Sequence, residues 1–201
     1  MTTQIGCIIG SLARDSINRR LAGKLAELAP PGLAITEISI RGLPLYCYDL
    51  DTSRPPAVRR FKSEISASDG LLLVTPEYNR SVPGPLKNAL DWGSRPWGDN
   101  SWHGKKAAII GAGLGGAGTA VAQAHLRGIL GYLGMTVMGA PETCVPWREG
   151  IRSGTPGRMS WVNAPQLCDT LIITSIAGQA KLTCRSVAVV VISSGHCPEK
   201  I

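Results

Sequence analysis

Hydroxyl, amide and guanidinium groups are concentrated in the nine residues that follow a short apolar run near the N-terminus. Ser11, Ser16 and Asn18 carry the hydroxyl and amide groups, and Arg14 carries the guanidinium. Together with the free backbone N–H groups of a helix start, such groups suit a phosphate dianion. Simple capping of the helix by Asp15 or Ser16 explains the same residues equally well, so both interpretations stay open.

A second polar segment follows the apolar run Leu71 to Val74. The run is too short for a typical helix and stops at a proline, as a buried strand does before a rigid loop. The loop then reads Thr75-Pro76-Glu77-Tyr78-Asn79-Arg80-Ser81. A third loop, rich in glycine, spans Gly113 to Gly118 after another apolar run. Ligands of open α/β sheets bind outside the carboxyl ends of strands, so these loops are where we expect a binding site.

Strands and helices alternate along the chain in front of and between these loops. The patterns predict strands at 4–10, 34–40, 70–75, 106–111 and from 136 to 138, and helices at 16–29, 57–67, 85–92 and 119–133. This alternation predicts an α/β fold, a doubly wound five-stranded parallel sheet with helices on both faces. With strand order 2-1-3-4-5, the loops after strands one, three and four meet at the switch point.

The composition and periodicity of the sequence change near residue 142. Four of the six cysteines lie beyond it, charges become fewer, and convincing helical periodicity ends. We therefore predict one domain over residues 1–142 and an atypical tail over 143–201 that is no separate domain. A domain of this kind normally ends in a helix that covers the sheet. Our hypothesis is that residues after about Cys144 are strongly diverged or read from a shifted frame, which leaves one sheet face under-covered.

Composition and charge narrow the class of partner. The formal net charge is +7, but lysine and arginine are scattered, which favours weak steering of small anions over nucleic-acid binding. No apolar run is long enough to span a bilayer, and the N-terminus lacks a secretory signal, so we expect a cytoplasmic protein without a membrane partner. The cysteines form no Cys-x-x-Cys pair and have no histidine at metal spacing, so we expect no metal site.

The first two polar loops together carry a long pattern. It reads Gly10-Ser11-x-x-Arg14-x-Ser16-x-Asn18 and then Thr75-Pro76-Glu77-Tyr78-Asn79-x-Ser81-x-Pro83-Gly84-x-Leu86-Lys87-Asn88-Ala89-x-Asp91-Trp92. This pattern resembles the NADPH-dependent FMN reductase family, most of all its chromate and quinone reductase branch. The resemblance covers Ile5 to about Glu142. It implies a flavodoxin-like fold, FMN as cofactor and NADPH or NADH as hydride donor. It also implies small acceptors such as quinones or chromate, and a homodimer or homotetramer.

The resemblance also assigns expected roles to the loop residues. The phosphate of FMN would be bound by Ser11, Ser16 and Asn18, with the cation of Arg14. The isoalloxazine ring and ribityl chain would be lined by Pro76, Glu77, Tyr78, Asn79 and Ser81, and the other edge of the ring by Gly113, Gly115 and Gly116. No catalytic side chain is expected, because the hard chemistry lies on the cofactor. We expect Glu77 to orient the ring or face solvent, and Tyr78 to pack beside the ring or anchor the loop.

One departure from the family pattern concerns charge. The family usually has arginine where this chain has Ala13, followed by a second basic residue, and only Arg14 remains here. The resemblance therefore predicts weaker FMN affinity than is usual in the family. A second hypothesis is that Arg127 and Glu142 form an ion pair across a subunit contact.

Three other functions fit parts of the sequence. The stretch Gly111 to Gly116 matches G-x-G-x-x-G, which would indicate a Rossmann-type NAD-dependent dehydrogenase. No acidic residue stands about 20 residues further on, where that fold binds ribose, so close approach of the backbone to a flat ring explains the glycines better. A flavodoxin-type electron carrier without NADPH turnover shares the fold, but such carriers are usually acidic. A non-catalytic scaffold with an empty pocket is the third alternative.

Overall fold

The computed structural model describes residues 2–140 and 142–147. The strands are β1 (Thr3–Ile9), β2 (Leu33–Glu37), β3 (Gly70–Val74), β4 (Lys106–Gly113), β5 (Thr136–Val137) and β6 (Thr143–Pro146). The helices are α1 (Ile17–Glu27), α2 (Pro56–Ala67), α3 (Gly84–Gly93) and α4 (Ala120–Tyr132), with a 3₁₀ turn at Tyr48–Leu50. The predicted alternation of strands and helices is confirmed, with bounds that shift by a few residues.

All strand pairs of the sheet are parallel, in the order β2-β1-β3-β4-β5. This is the predicted order. The sheet also contains β6, which the sequence did not predict. It pairs with the stretch of β4 from Ile110 to Gly113, whereas β5 pairs with Lys106 and Ala107 at the other end of β4. The fifth position is thus filled by two short pieces, and the sheet continues to Pro146, past the boundary we predicted at 142.

The apolar residues of β3 explain why its sequence reads as a continuous hydrophobic run. Leu71 and Leu73 belong to the core cluster on one face of the sheet, where α2, α3 and α4 pack. Leu72 and Val74 belong to the cluster on the other face, with Leu21 and Ala22 of α1. Successive side chains of a strand point to opposite faces, so a strand covered on both sides is apolar at every position. Helices therefore lie on both faces, as predicted.

The two faces are covered unequally by the described residues. On the face of α1, the buried cluster draws helical side chains from α1 alone among residues 2–140 and 142–147, and Trp147 adds a buried indole after β6. From residue 148 on, the tail that we hypothesise to be diverged or frame-shifted lies outside the described residues. Within the described part, no helix is long and apolar enough to cross a membrane, and no cluster of potential metal ligands occurs.

One smaller expectation, an ion pair, can be compared with the structure. Arg127 and Glu142 pair within one chain, with Nε and Oε1 3.2 Å apart, and the hypothesis of a pair across a subunit contact stays a prediction. The guanidinium of Arg127 also donates to the carbonyl oxygen of Met138 at 2.5 Å.

Cys7, Cys47 and Cys144 are free thiols in the described part. Burial raises the pKa of Cys7 to about 12, so this thiol stays protonated in the core.

Candidate active site

The loop between β1 and α1, residues 10–18, is called the phosphate loop below. Ser16 is the N-cap of α1, and its hydroxyl accepts the backbone N–H of Arg19 at 3.4 Å, which is the capping role the sequence left open. The buried hydroxyl of Ser11 accepts the N–H of Ala13 at 3.2 Å. The backbone N–H groups of residues 14–18 make no hydrogen bond to any described residue. They form a row of free donors at the start of α1, which suits an anion.

Arg14 and Asn18 differ sharply in their surroundings. Arg14 is exposed and makes neither a hydrogen bond nor an ion pair with the residues the structure describes. Asn18 is only 1% exposed, and its amide binds the backbone of β4. Its nitrogen donates to the oxygen of Ala112 at 2.9 Å, and its oxygen accepts the N–H of Ala112 at 2.8 Å. Asn18 therefore fixes the phosphate loop to the carboxyl end of β4.

Glu77 joins the loop after β3 to helix α4. One carboxylate oxygen accepts the backbone N–H groups of Val121 and Ala122, both at 3.0 Å. These are orphan donors in the first turn of α4, whose N-cap residue, Thr119, makes no capping bond with its side chain. The Glu77 side chain is only 11% exposed. The expectation that it faces solvent was wrong, because the N-terminus of α4 attracts and satisfies the carboxylate.

Residues 78–81 form a tight hairpin at the tip of the same loop. The N–H and C=O groups of Tyr78 and Ser81 exchange two hydrogen bonds, at 3.1 and 3.0 Å. Asn79 and Arg80 have φ angles of 50° and 61°, the left-handed values that a type I′ turn requires at both central positions. The Ser81 hydroxyl lies 3.1 Å from Nδ1 of His125, which ties the hairpin to α4. The hairpin is therefore held at its base and directs its tip outward.

Tyr78 stands between the hairpin and the phosphate loop. Its hydroxyl lies 3.5 Å from the hydroxyl of Ser11, and 48% of the residue is exposed. Such exposure does not fit an anchor on the core and leaves the ring available to a ligand. The backbone N–H groups of Glu77, Asn79 and Arg80 make no hydrogen bond to the described residues. This loop therefore offers both an aromatic face and free donors.

The glycines at the end of β4 and in the loop that follows it serve two different purposes. A Cβ on Gly111 would lie 2.1 Å from the carbonyl oxygen of Thr75 and 2.2 Å from Oγ1 of Thr119, and one on Gly113 would lie 2.5 Å from the oxygen of Gly118. These two glycines are required by packing within the protein, so approach to a ring does not explain them. Gly115 and Gly116 have open space around their Cβ positions and leave room for a ligand.

Cys144 packs its backbone and Cβ against the same glycine-rich loop. Burial raises the pKa of its thiol, which keeps sulfur uncharged at neutral pH. It therefore contributes packing rather than a reactive thiolate at this edge of the site.

The three loops meet at the carboxyl ends of β1, β3 and β4, as the predicted strand order required. Asn18 links the first loop to β4, the Ser11–Tyr78 contact links the first loop to the second, and Glu77 links the second to α4. Sequence reasoning missed one residue, Arg41. Its Nη2 donates to the carbonyl oxygen of Leu12 in the phosphate loop at 2.6 Å. The available indication was a basic residue directly after the second predicted strand, which neighbours the first in the predicted order.

Known proteins are similar in sequence to this chain over the residues that build the site. The model of the family described as NADPH-dependent FMN reductase matches residues 3–147. The chain belongs to this family. It is 54% identical over 149 residues to a 2-hydroxy-1,4-benzoquinone reductase from Burkholderia sp, an overlap of 74% of this chain and 81% of the relative. It is 46% identical to a quinone reductase from Pseudomonas putida, over 69% of this chain and 75% of that protein.

Solved structures agree with the assignment. The flavoenzyme NAD(P)H:(acceptor) oxidoreductase FerB from Paracoccus denitrificans superposes with a TM-score of 0.78 at 38% identity, covering 84% of this chain and 94% of that chain. A flavodoxin mutant from Pseudomonas aeruginosa has a TM-score of 0.52 at 19% identity, over 83% of this chain and 97% of that one, which shows the flavodoxin-like fold alone.

The FMN reductase family assignment settles the class of chemistry. The protein is an oxidoreductase and a flavoprotein, with FMN as cofactor and NAD(P)H as hydride donor. The residues present fit that cofactor, because free N–H groups and the unpaired Arg14 offer an anion site, while Tyr78 and the space at Gly115 and Gly116 offer room for a ring. The electron carrier and the Rossmann dehydrogenase receive no support from these comparisons.

Proposed function

We propose that this FMN reductase family member reduces quinones, and related small acceptors such as chromate, with hydride from NAD(P)H. The observation that carries the proposal is the hydrogen bonding of Glu77. Its carboxylate accepts two backbone N–H groups at the N-terminus of α4. Glu77 is the one carboxylate in the loop after β3, residues 75–81, and these hydrogen bonds leave it unavailable as an acid or base. Reduction through a flavin needs none, because FMN held by the three loops would itself supply the hydride and electron-transfer chemistry.

The roles of the chain's own residues follow from the three loops. The hydroxyls of Ser11 and Ser16, the guanidinium of Arg14 and the free N–H groups of residues 14–18 bind the phosphate, with Asn18 positioning the loop. The ring and ribityl chain are lined by Pro76, Glu77, Tyr78, Asn79 and Ser81 on one side and by Gly115 and Gly116 on the other. Free backbone N–H groups at 77, 79 and 80 offer donors to negative charge that develops on the ring.

The choice of quinones rests on the relatives. Two of them, at 54% and 46% identity, are named for quinone reduction. We further propose a homodimer or homotetramer, as the family resemblance implies, and a cytoplasmic location. Large apolar side chains that the described residues leave exposed, such as Trp97 and Tyr132, support self-association.

The test begins with the absorption spectrum of the purified full-length protein. We expect the visible bands of bound flavin, and NADPH oxidation that depends on added 1,4-benzoquinone. Removal of FMN should abolish turnover, and addition of FMN should restore it. Reducible bound flavin without steady-state NADPH oxidation would overturn the proposal in favour of an electron carrier. Chromate and ferricyanide, tested in parallel, rank the acceptors, and size-exclusion chromatography reports the assembly.

Arg14 gives a second test of the same assignment. Because it is the one free cation within residues 10–18 of the structure, Arg14→Ala should weaken FMN binding. FMN affinity that does not change in this variant would refute the location of the phosphate site.

A further inference from the structure

We propose that Arg41 supplies the second cation of the phosphate loop and binds the FMN phosphate in place of the arginine that Ala13 replaces. Its guanidinium reaches the loop from the segment after β2, and Nη2 donates to the oxygen of Leu12 at 2.6 Å. Leu12 immediately precedes Ala13, so the cation lies next to the position where charge is missing. The inference concerns the cofactor site of the proposed function and rests on FMN being the ligand there.

The backbone in front of Arg41 is anchored firmly enough to hold the guanidinium in place. The N–H of Ile38 donates to the oxygen of Cys7 in β1 at 2.8 Å, which keeps this segment alongside β1 after β2 has ended. Ile38 and Ile40 are both buried in the core cluster of one sheet face. Arg41 follows directly and is exposed. The anchored isoleucines thus deliver the arginine to the carboxyl edge of the sheet, where the phosphate loop begins.

The charge balance of the phosphate loop shows why this matters. Within residues 10–18, Arg14 and Asp15 have opposite charges, so the loop's formal side-chain charge is zero. Arg19, the next arginine, is paired with Glu37 at 2.5 Å and contributes little free charge. Arg41 has no carboxylate within ion-pair distance among the described residues. Adding it makes the loop net positive, as a phosphate dianion requires.

The chemistry of the guanidinium fits this role. It carries five N–H donors in a rigid plane, and the bond to Leu12 occupies a single nitrogen. The remaining donors can bind a phosphate oxygen while that bond persists, and arginine remains charged at every physiological pH. With this role, Arg41 would offset the loss of charge at Ala13 from which the weaker FMN affinity is expected.

The experiment compares FMN with riboflavin, which lacks the phosphate. Apo-protein of the full chain is titrated with each flavin, and quenching of flavin fluorescence gives the Kd. Arg41→Ala should raise the Kd for FMN by about threefold to tenfold, because a partly solvated cation–phosphate contact is lost. The Kd for riboflavin should not change. Increasing salt should weaken FMN binding less in this variant than in the wild type.

Two further variants separate charge from structure. Arg59→Ala is the matched control, because Arg59 also donates to a backbone carbonyl, that of Arg54, but lies on α2 outside the phosphate loop. It should leave both Kd values unchanged. Ala13→Arg combined with Arg41→Ala should restore FMN affinity, since Ala13 is exposed and an arginine there has room.

Several results would overturn the inference. An unchanged FMN Kd in Arg41→Ala would remove Arg41 from the site. Equal weakening of FMN and riboflavin would show that Arg41 only holds the loop backbone. A raised KM for NADPH with an unchanged FMN Kd would assign the cation to the dinucleotide instead. Wild-type protein that binds neither flavin would refute the cofactor assignment itself, a result distinct from failure of the Arg41 variant alone.

Discussion

The cap that Glu77 places on α4 is the contact whose removal has the clearest expected effect. Its carboxylate accepts two backbone N–H groups at 3.0 Å and is only 11% exposed. A hydrogen bond to a charged group contributes about 1.5–3 kcal/mol, helix capping about 0.5–2, and a carboxylate at a helix N-terminus about 0.3–1. These contributions overlap, so we expect Glu77→Ala to lower the free energy of unfolding by about 2 kcal/mol.

Urea unfolding of the apo-protein measures this change without interference from the cofactor. The midpoint should fall while the slope with urea stays constant, and Tm should fall by about 4–8 °C for a chain of this size. Glu77→Gln keeps a carbonyl oxygen as acceptor but loses the charge, so we expect roughly half the effect. Glu27→Ala is the control, because Glu27 pairs with Lys24 on the surface with 65% of each side chain exposed. That loss should be no more than about 0.5 kcal/mol.

A Glu77→Ala variant as stable as the Glu27→Ala control would refute the argument that this carboxylate secures α4. The variant should also bind FMN more weakly, since the loop that Glu77 ties to α4 carries the Tyr78 hairpin. Hydrogen exchange gives an independent check. The N–H groups of Val121 and Ala122 should lose protection in the variant, while amides of β3 keep theirs.

Four further substitutions test the packing of the site in the same urea assay. Asn18→Ala should lower the free energy of unfolding by about 2–4 kcal/mol, because it leaves both backbone groups of Ala112 unpaired in a buried position. A loss below that range would mean that water replaces the amide. Gly111→Ala should cost about 1–3 kcal/mol or more through overpacking, whereas Gly115→Ala, with open space around it, should cost far less; similar losses would contradict the distinction. Arg80→Gly should stabilise by about 0.5 kcal/mol, because relief of the left-handed conformation exceeds the entropy that glycine adds to the unfolded chain. Destabilisation would show that the Arg80 side chain matters more than its backbone.

Much of the fold was predictable because its strands are covered on both faces. Leu71 to Val74 alternate between two core clusters, so a continuous apolar run was a reliable indication of a buried parallel strand. The strand β6 was not predictable in the same way. Its residues, Thr143–Pro146, are all half-buried and end in a proline, and they form a strand because they pair with β4 along Ile110 to Gly113. Such a strand depends on its partner more than on its own sequence.

The candidate site, too, was predictable only in part. The sequence identified the loops and their residue types, because these follow predicted strands and carry distinctive polar groups. It could not identify the partners of individual side chains. Glu77 binds backbone groups 44 and 45 residues away, and Asn18 binds Ala112 across 94 residues. No spacing within a loop indicates such contacts, which arise only when the sheet brings distant loop ends together.

The shape of the site and its affinity for the phosphate therefore depend on different physical means. Glu77 in the loop after β3 and Asn18 in the phosphate loop bond to backbone groups and fix both loops before any ligand binds. On the phosphate side, the cations of Arg14 and Arg41 are exposed to solvent. Salt screens exposed charges strongly and buried hydrogen bonds little. Affinity for the phosphate should thus depend on ionic strength, while the shape of the ring site, and with it the binding of riboflavin, should not.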